Sequence, residues 1–402
     1  MTNERRCCQY IGVLFLLLIS ATVSFALTTN QESRSGNKVS IVTGANGYIG
    51  REVVNVLWNR EIKDGSISTI LCLVRPARVE QEKQFWNRYL QNQPNGCRLE
   101  VLPYDMLDGG ESILKALRFA STLKSLDSDG DKNIDICVYH IASVFGPSED
   151  HVQTATDNVQ GTKDLFLAMA KIPNCRVVLT SSMAAVRGTG QEPLNGKFYT
   201  NQDWNSLSKL HETNWGSSYQ WSKAESERIA WDLAKEFNIS MTSICPSFVF
   251  GPPTGTLSEK CDRIPLSSSY SIELVGQWVR GESPVQSRLC VDVRDVAKAH
   301  VAAGSLPNAI GERFIVSTEA RVSSEKMAEA LAKVCRETKL GDPDAISFDG
   351  KFQGGAIPIG AQEVEASNRL QDILGVTLRP VEETIADMGR ALLVAKDTAV
   401  EK

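Results

Sequence analysis

The stretch IVTGANGYIG, residues 41–50, decides how the rest of the chain is read. Its first three residues extend a β-branched and apolar run from Lys38, the signature of a strand buried on both faces. Gly44, Gly47 and Gly50 follow at intervals of three, and REVVNVLW behind them has helical spacing. A strand that passes through glycines into a helix is suited to close approach by a ligand. Gly44 makes the tight turn, the backbone near Gly47 is free to touch an anion, and Gly50 lets the helix pack on the strand. The positive end of the helix faces the same place, which suits a phosphate.

Working outward, β-branched or apolar runs recur at 39–43, 69–74, 98–104, 134–141, 175–181 and 240–246, alternating with segments of helical spacing such as 161–171 and 218–236. Such alternation predicts an α/β fold, a Rossmann-type doubly wound parallel sheet, followed by a smaller C-terminal substrate-binding domain. The expected organisation is a leader over 1–37, a nucleotide-binding domain over 38–251 with a return at about 289–318, and a substrate-binding part from 252–288 and 319–395. Acidic residues alternate in DSDGDKNID, 127–135, like the start of a calcium loop. Lys132 stands where that loop needs glycine and Val138 where it needs a bidentate glutamate, so a surface loop and no metal site are expected.

A net charge of −5 over 402 residues, with no block of Lys or Arg, leaves no field to hold a nucleic-acid backbone. The first forty residues have another character. Arg5 and Arg6 precede seventeen uncharged residues, IGVLFLLLISATVSFAL, with small residues near Ser24 and Ala26 and a polar stretch behind. That is the layout of a signal peptide or, uncut, of one membrane span, and it is the only expected route to a membrane. Two of the ten cysteines, Cys7 and Cys8, lie in this leader; the others are isolated, several within strand-like runs, and read as buried thiols of a reducing compartment. TVSFAL resembles the bipartite leader of plastid proteins in diatoms and related algae, with Leu27 where proline is usual. A plastid is therefore the expected destination, with the endoplasmic reticulum or another membrane as the alternative.

The end of the second strand selects a nucleotide. In LCLVRPARVE, Arg75 and Arg78 stand where a site for a ribose diol needs Asp or Glu. Guanidinium groups suit a 2′-phosphate, so NADP(H) is expected rather than NAD. Farther on, Tyr219 and Lys223 are four apart in SSYQWSKAESERIAWDLAKEF, one helical turn along one face. There the ammonium is expected to draw the phenol pKa down toward working pH, which would let the phenol exchange a proton with a substrate oxygen. Ser181 and Ser182 end the fifth strand, where a hydroxyl meets ligands of open α/β sheets.

The motifs together resemble the extended short-chain dehydrogenase/reductases, in the branch of dihydroflavonol reductases, cinnamoyl-CoA reductases and 3β-hydroxysteroid dehydrogenases. The resemblance spans about Lys38 to Ala395. It rests on TGANGYIG, Asp105-Met106, VYHIAS, NVQGT, TSSMAAV, Asp203-Trp204, YQWSK, PSFVFGP and VDVRDVAKAH, in that order. It implies that Ser182 polarises a carbonyl, Tyr219 is the general acid/base, and Lys223 also binds the nicotinamide ribose. It implies further cofactor contacts from Gly44, Asn46, Gly47, Tyr48, Ile49, Gly50, Arg75, Asp105, Met106, Ile141, Ala142, Ser143, Pro246 and Val249, with His140 as scaffold. The implied activity is NADPH-dependent reduction of a ketone or aldehyde, or its reverse, by a monomer or homodimer acting on a small molecule. At the catalytic helix NWGSSYQWSK departs from the Asn-Trp-Tyr-Cys-Tyr-Gly-Lys signature of cinnamoyl-CoA reductases, so a phenylpropanoid thioester is not supported. Two alternatives use the same frame: an NAD-dependent nucleotide-sugar epimerase or dehydratase, and a non-catalytic nucleotide-binding scaffold.

Overall fold

A computed structural model describes residues 38–64, 68–90, 97–123, 134–210, 214–256, 269–350 and 359–400. The leader over 1–37 and all of the acidic loop 127–135 except its last two residues lie outside the described residues, as does 257–268 of the expected substrate-binding part. The strands are β1 (Lys38–Thr43), β2 (Ser68–Val74), β3 (Cys97–Pro103), β4 (Asp135–His140), β5 (Cys175–Thr180), β6 (Ser240–Pro246), β7 (Phe248–Phe250), β8 (Cys290–Asp292) and β9 (Arg313–Val316). Seven form one parallel sheet in the order β3-β2-β1-β4-β5-β6-β9, and β7 pairs with β8 in a second, two-stranded sheet. The helices are α1 (Tyr48–Asp64), α2 (Val79–Tyr89), α3 (Glu111–Thr122), α4 (His151–Met169), α5 (Met183–Val186), α6 (Trp215–Glu236), α7 (Tyr270–Val279), α8 (Val293–Ala303), α9 (Ser324–Thr338), α10 (Ser367–Leu374) and α11 (Val381–Val400).

Successive side chains of the inner strands feed opposite layers, which is why these runs are apolar throughout rather than alternating. Ile70, Cys72 and Val74 of β2 join the core that holds Val53 of α1 and Val296 of α8, whereas Leu71 and Leu73 join the one that holds Leu117 of α3 and Phe166 of α4. The doubly wound sheet expected from the sequence is therefore present. Its chain order reverses between β1 and β4, and a cleft opens at such a point beyond the strand ends. There Thr43 Oγ1 accepts from Ile141 N and Ala142 N at 3.1 and 3.2 Å and is hydrogen-bonded to His140 Nδ1 at 2.9 Å. The end of β4 is thus fixed against the glycine turn.

Three elements differ from the expectation. The seventh strand, β9, was hidden because RFIV is short and opens on an arginine; Arg313 is nonetheless buried, its charge met inside the protein. The β7–β8 pair is built from three-residue strands, too short to leave a period-2 pattern. Helix α4 starts ten residues before the expected 161, because Asp150 caps it by accepting from Gln153 N at 2.8 Å. The seven described cysteines are buried and form no disulfide with one another. Among the described residues no helix is long and apolar enough to cross a membrane.

Candidate functional site

Above the carboxyl ends of β1, β2, β4, β5 and β6 lies a cavity of about 1140 Å³. The glycine turn forms one end. Gly44 has φ +64°, and a Cβ there would stand 3.0 Å from Ala142 Cα and N, so both the conformation and the approach to β4 call for glycine. Gly50 sits beneath the turn, where a Cβ would fall 2.1 Å from Gly44 O. This close approach seats helix on strand, as expected for Gly50. Gly44, Asn46, Gly47, Tyr48 and Ile49 line the cavity. The hydroxyl of Tyr48, however, donates to Gly251 O at 2.6 Å and so ties the turn to the PSFVFGP stretch.

At the same end Arg75 is exposed at the mouth of the cavity and makes no ion pair among the described residues, while Arg78 donates to Gln81 Oε1 at 2.7 Å. Beneath them Arg51, which sequence reasoning missed, forms a buried two-bond pair with Glu82 at 3.0 and 2.6 Å and lies 4.0 Å from the Phe85 ring centroid. Asp105 is exposed, with one carboxylate oxygen accepting from Leu107 N at 3.0 Å, and Met106 lies beside it on the cavity wall. Ile141, Ala142 and Ser143 line the middle, as do Pro246 and Val249. Asn158 of the NVQGT motif holds this wall by exchanging two hydrogen bonds, 2.8 and 3.0 Å, with the main chain of Val144. The hydroxyls of Ser143 and Ser247 are buried without a hydrogen-bond partner. Buried hydroxyls left unpaired, a side-chain-free turn and an unpaired guanidinium fit a phosphorylated dinucleotide; Gly47 and Arg75 would hold its phosphates and Asp105 its base.

Helix α6 supplies the chemistry. Asn214 caps it by accepting from Ser217 N at 2.9 Å, which sets its rotation. Tyr219, Lys223 and Glu227 then occupy successive turns of the face toward β5. Position in the strand did not separate Ser181 from Ser182, which only the family resemblance did, and the structure gives them different partners. Ser181 donates to Glu227 Oε2 at 2.7 Å and is committed to the scaffold, whereas Ser182 caps α5 by accepting from Ala184 N at 3.1 Å and stands beside the Tyr219 phenol. Lys223 Nζ donates to Thr180 O at 3.2 Å. Ser182, Tyr219 and Lys223 therefore meet on one wall of the cavity.

The expected fall of the Tyr219 pKa is not what this arrangement gives. Burial pushes the phenol well above its ordinary value, and the Ser182 hydrogen bond offsets this only in part. The ammonium is directed at the Thr180 carbonyl and lies 5.9 Å from the phenol ring centroid. Burial instead acts on Lys223, bringing it down to about 8.

Glu227 is buried, which alone would raise its carboxyl, but Arg313 beside it and its hydrogen bonds prevail and hold it below the usual range. Arg313 meets it through two bonds of 2.7 and 2.9 Å and lies 4.0 Å from the Trp204 ring centroid, which gives the Asp203-Trp204 pair a structural role. His140 is buried between Thr43 and Thr162, and burial, with Lys223 adding to it, lowers its imidazole to about 3. It is scaffold, as expected. No cluster of metal-ligating residues occurs among the described residues.

The far end of the cavity was not legible in advance. Phe145, Trp215, Tyr270 and Phe248 form an aromatic wall, with Phe145 4.7 Å from the Tyr219 ring centroid and 5.3 Å from that of Tyr270. Arg187, Arg288 and Arg321 line the same end. They come from separate segments with no shared spacing, so only the fold brings them together.

Comparison with known proteins agrees with this geometry. The NAD dependent epimerase/dehydratase family matches residues 125–317. Cinnamoyl-CoA reductase 1 of Arabidopsis thaliana is 30% identical, over 75% of this chain and 76% of that protein. The NADPH-dependent methylglyoxal reductase GRE2 of Saccharomyces cerevisiae is 26% identical, over 88% and 97%. Among solved structures, yeast methylglyoxal/isovaleraldehyde reductase Gre2 complexed with NADPH superposes with a TM-score of 0.69 at 24% identity, covering 90% of this chain and 99% of that one. UDP-glucuronic acid 4-epimerase from Bacillus cereus gives 0.59 at 16% identity, covering 88% and 98%.

Proposed function

The chain belongs to the extended short-chain dehydrogenase/reductase family, and on that premise we propose that it is an NADP(H)-dependent oxidoreductase interconverting a ketone or aldehyde and its alcohol. The observation that carries this reading is the meeting of Ser182, Tyr219 and Lys223 on the wall of a cavity that ends in the glycine turn. NADPH supplies the hydride when bound. Ser182 donates a hydrogen bond to the carbonyl oxygen, Tyr219 gives that oxygen its proton, and the Lys223 ammonium stabilises the phenolate left behind. Arg75, with Arg78 beside it, receives the 2′-phosphate. The reductase names of the Arabidopsis and yeast relatives support the reaction class, and the yeast protein's name supports the cofactor.

Titration with NADPH, NADP+, NADH and UDP-sugars, followed by nicotinamide fluorescence and thermal midpoint, tests the reading, because a ligand that binds only the native state raises the midpoint. Preference for the phosphorylated cofactor, with turnover of ketones or aldehydes, is expected. Retained NAD with stabilisation by UDP-sugars would overturn it in favour of an epimerase.

Residues 1–37 act, in this reading, as a cleavable leader that delivers the enzyme to a plastid. A fluorescent fusion of those residues should enter a membrane-bounded compartment, and a diffuse cytosolic signal would overturn the assignment.

A further inference from the structure

The three arginines at the far end of the cavity are unequally compensated. Arg321 holds the buried carboxylate of Glu363 through two bonds of 2.8 and 3.2 Å, and Arg187 reaches the same carboxylate at 3.2 Å. Arg288 has no carboxylate partner among the described residues. One of its nitrogens, Nη2, donates to the Gln286 side-chain oxygen, its Nε is buried without a hydrogen-bond partner, and its guanidinium lies 4.8 Å from the Phe248 ring centroid. Among the described residues, the acidic side chains that line the cavity are Glu82 and Asp105, both at the nucleotide end.

Arginine does not shed its proton at working pH, so the cost of burying Arg288 persists until an anion meets it. Burial draws its guanidinium below the ordinary value; Tyr270 opposes this and Arg321 adds to it. An unpaired Nε edge is the side of a guanidinium that meets a carboxylate in two parallel bonds. Phe145, Trp215, Tyr270 and Phe248 supply an apolar wall beside it. A charged anchor beside such a wall fixes the orientation of a ligand more than it fixes its length.

We propose that the substrate is a carbonyl acid, an apolar or aryl ketone or aldehyde that bears a carboxylate, with the carboxylate on Arg288 and the carbonyl facing Ser182 and Tyr219. This rests on the reductase reading above. The carboxylate is unchanged in the reaction: hydride from NADPH forms the new C–H bond, the C=O π pair moves to oxygen, and that oxygen takes its proton from Tyr219. Arg187 and Arg321 add a positive field that favours the anion and disfavours amines.

The test uses the full chain with NADPH and two acid and methyl-ester pairs, 2-oxo-4-phenylbutanoate and 4-oxo-4-phenylbutanoate with their esters. The non-reducible 4-phenylbutanoate is scored alongside by thermal stabilisation of the NADP+ complex. The wild type is expected to show a kcat/KM for at least one acid roughly tenfold or more above its ester, as expected for a charge-assisted pair, and stabilisation by 4-phenylbutanoate. Arg288→Gln should bring the acid-to-ester ratio close to one, mainly through KM, and remove the stabilisation; Arg288→Lys should restore part of both. Equal turnover of acid and ester, without stabilisation by 4-phenylbutanoate, would overturn the anion site and leave the reductase reading standing. Stabilisation that depends on Arg288, with no turnover of any acid or ester, would keep the anion site and overturn the reductase reading. Neither turnover nor stabilisation would overturn the proposal. The wild-type ratio and stabilisation decide the matter even if Arg288→Gln fails to fold.

Discussion

At the nucleotide end of the cavity Gly44, Gly47, Ile141 and Ala142 offer largely main chain, placed on strand ends whose register the sheet fixes, whereas the far end offers the long side chains of Phe145, Trp215, Tyr270 and Arg288. A backbone site admits little change, because its parts are also the parts of the turn. A side-chain site is free to vary without disturbing the sheet beneath it. One fold can therefore keep a cofactor while its substrate changes. Ser182, Tyr219 and Lys223 stand between the two, on α6 and at the end of β5.

The largest effect is expected at that junction. Tyr219→Phe removes one hydroxyl and should lower kcat by about 10²–10⁴-fold, the usual contribution of a positioned general acid, with NADPH affinity almost unchanged. Single-turnover kinetics beside cofactor titration checks this, and unchanged turnover would remove the proposed acid. Next is Gly50→Ala, which tests how rigid the nucleotide end is. Its Cβ would meet Gly44 O at 2.1 Å. Overpacking of that kind costs about 1–3 kcal/mol, so the denaturation midpoint should fall and NADPH binding weaken together. Stability and binding that do not move together would break the picture of the turn as both fold element and site. A more selective effect is expected for Arg75→Glu. Loss of a charge-assisted contact worth about 1.5–3 kcal/mol should weaken NADPH far more than NADH, and an equal loss for both would refute the 2′-phosphate assignment.

The same division explains what the sequence disclosed. The nucleotide end was legible because a turn made of main chain demands glycine at set intervals, and the strands around it are apolar throughout. The role of Tyr48 was harder to see, since its hydroxyl finds its partner about two hundred residues away at Gly251. Strand position left Ser181 and Ser182 equivalent and only the resemblance chose Ser182; the hydrogen bond from Ser181 to Glu227 shows where the first is committed. Arg313 concealed a strand because its partner is on a helix far away in sequence. The far end left no pattern at all, for its aromatic and arginine side chains are each single residues whose meeting depends on the crossovers. The direction of the Tyr219 shift was misjudged because helical spacing reports which side chains are neighbours and says nothing of how deeply they are buried.

The smallest effect separates catalysis from stability at Lys223. Burial holds its ammonium at about 8 in the folded chain against an ordinary 10.5. As pH rises through about 8 the folded enzyme loses the charge proposed above to stabilise the phenolate, so kcat/KM for NADPH-dependent reduction should fall. Between about 8 and 10.5 the unfolded chain keeps a proton that the folded chain has released, so in that window this group's contribution to stability rises with pH; below about 8 both states are protonated and the burial cost is carried in full. Activity and stability should therefore move in opposite directions over the same interval. Wild-type stability against urea should gain on that of Lys223→Met from pH 8 to pH 10, while a pH–rate profile of Lys223→Arg should lack the fall near 8, since guanidinium does not titrate there. A fall that survives in Lys223→Arg would assign the titration to another group and separate the lysine from the rate.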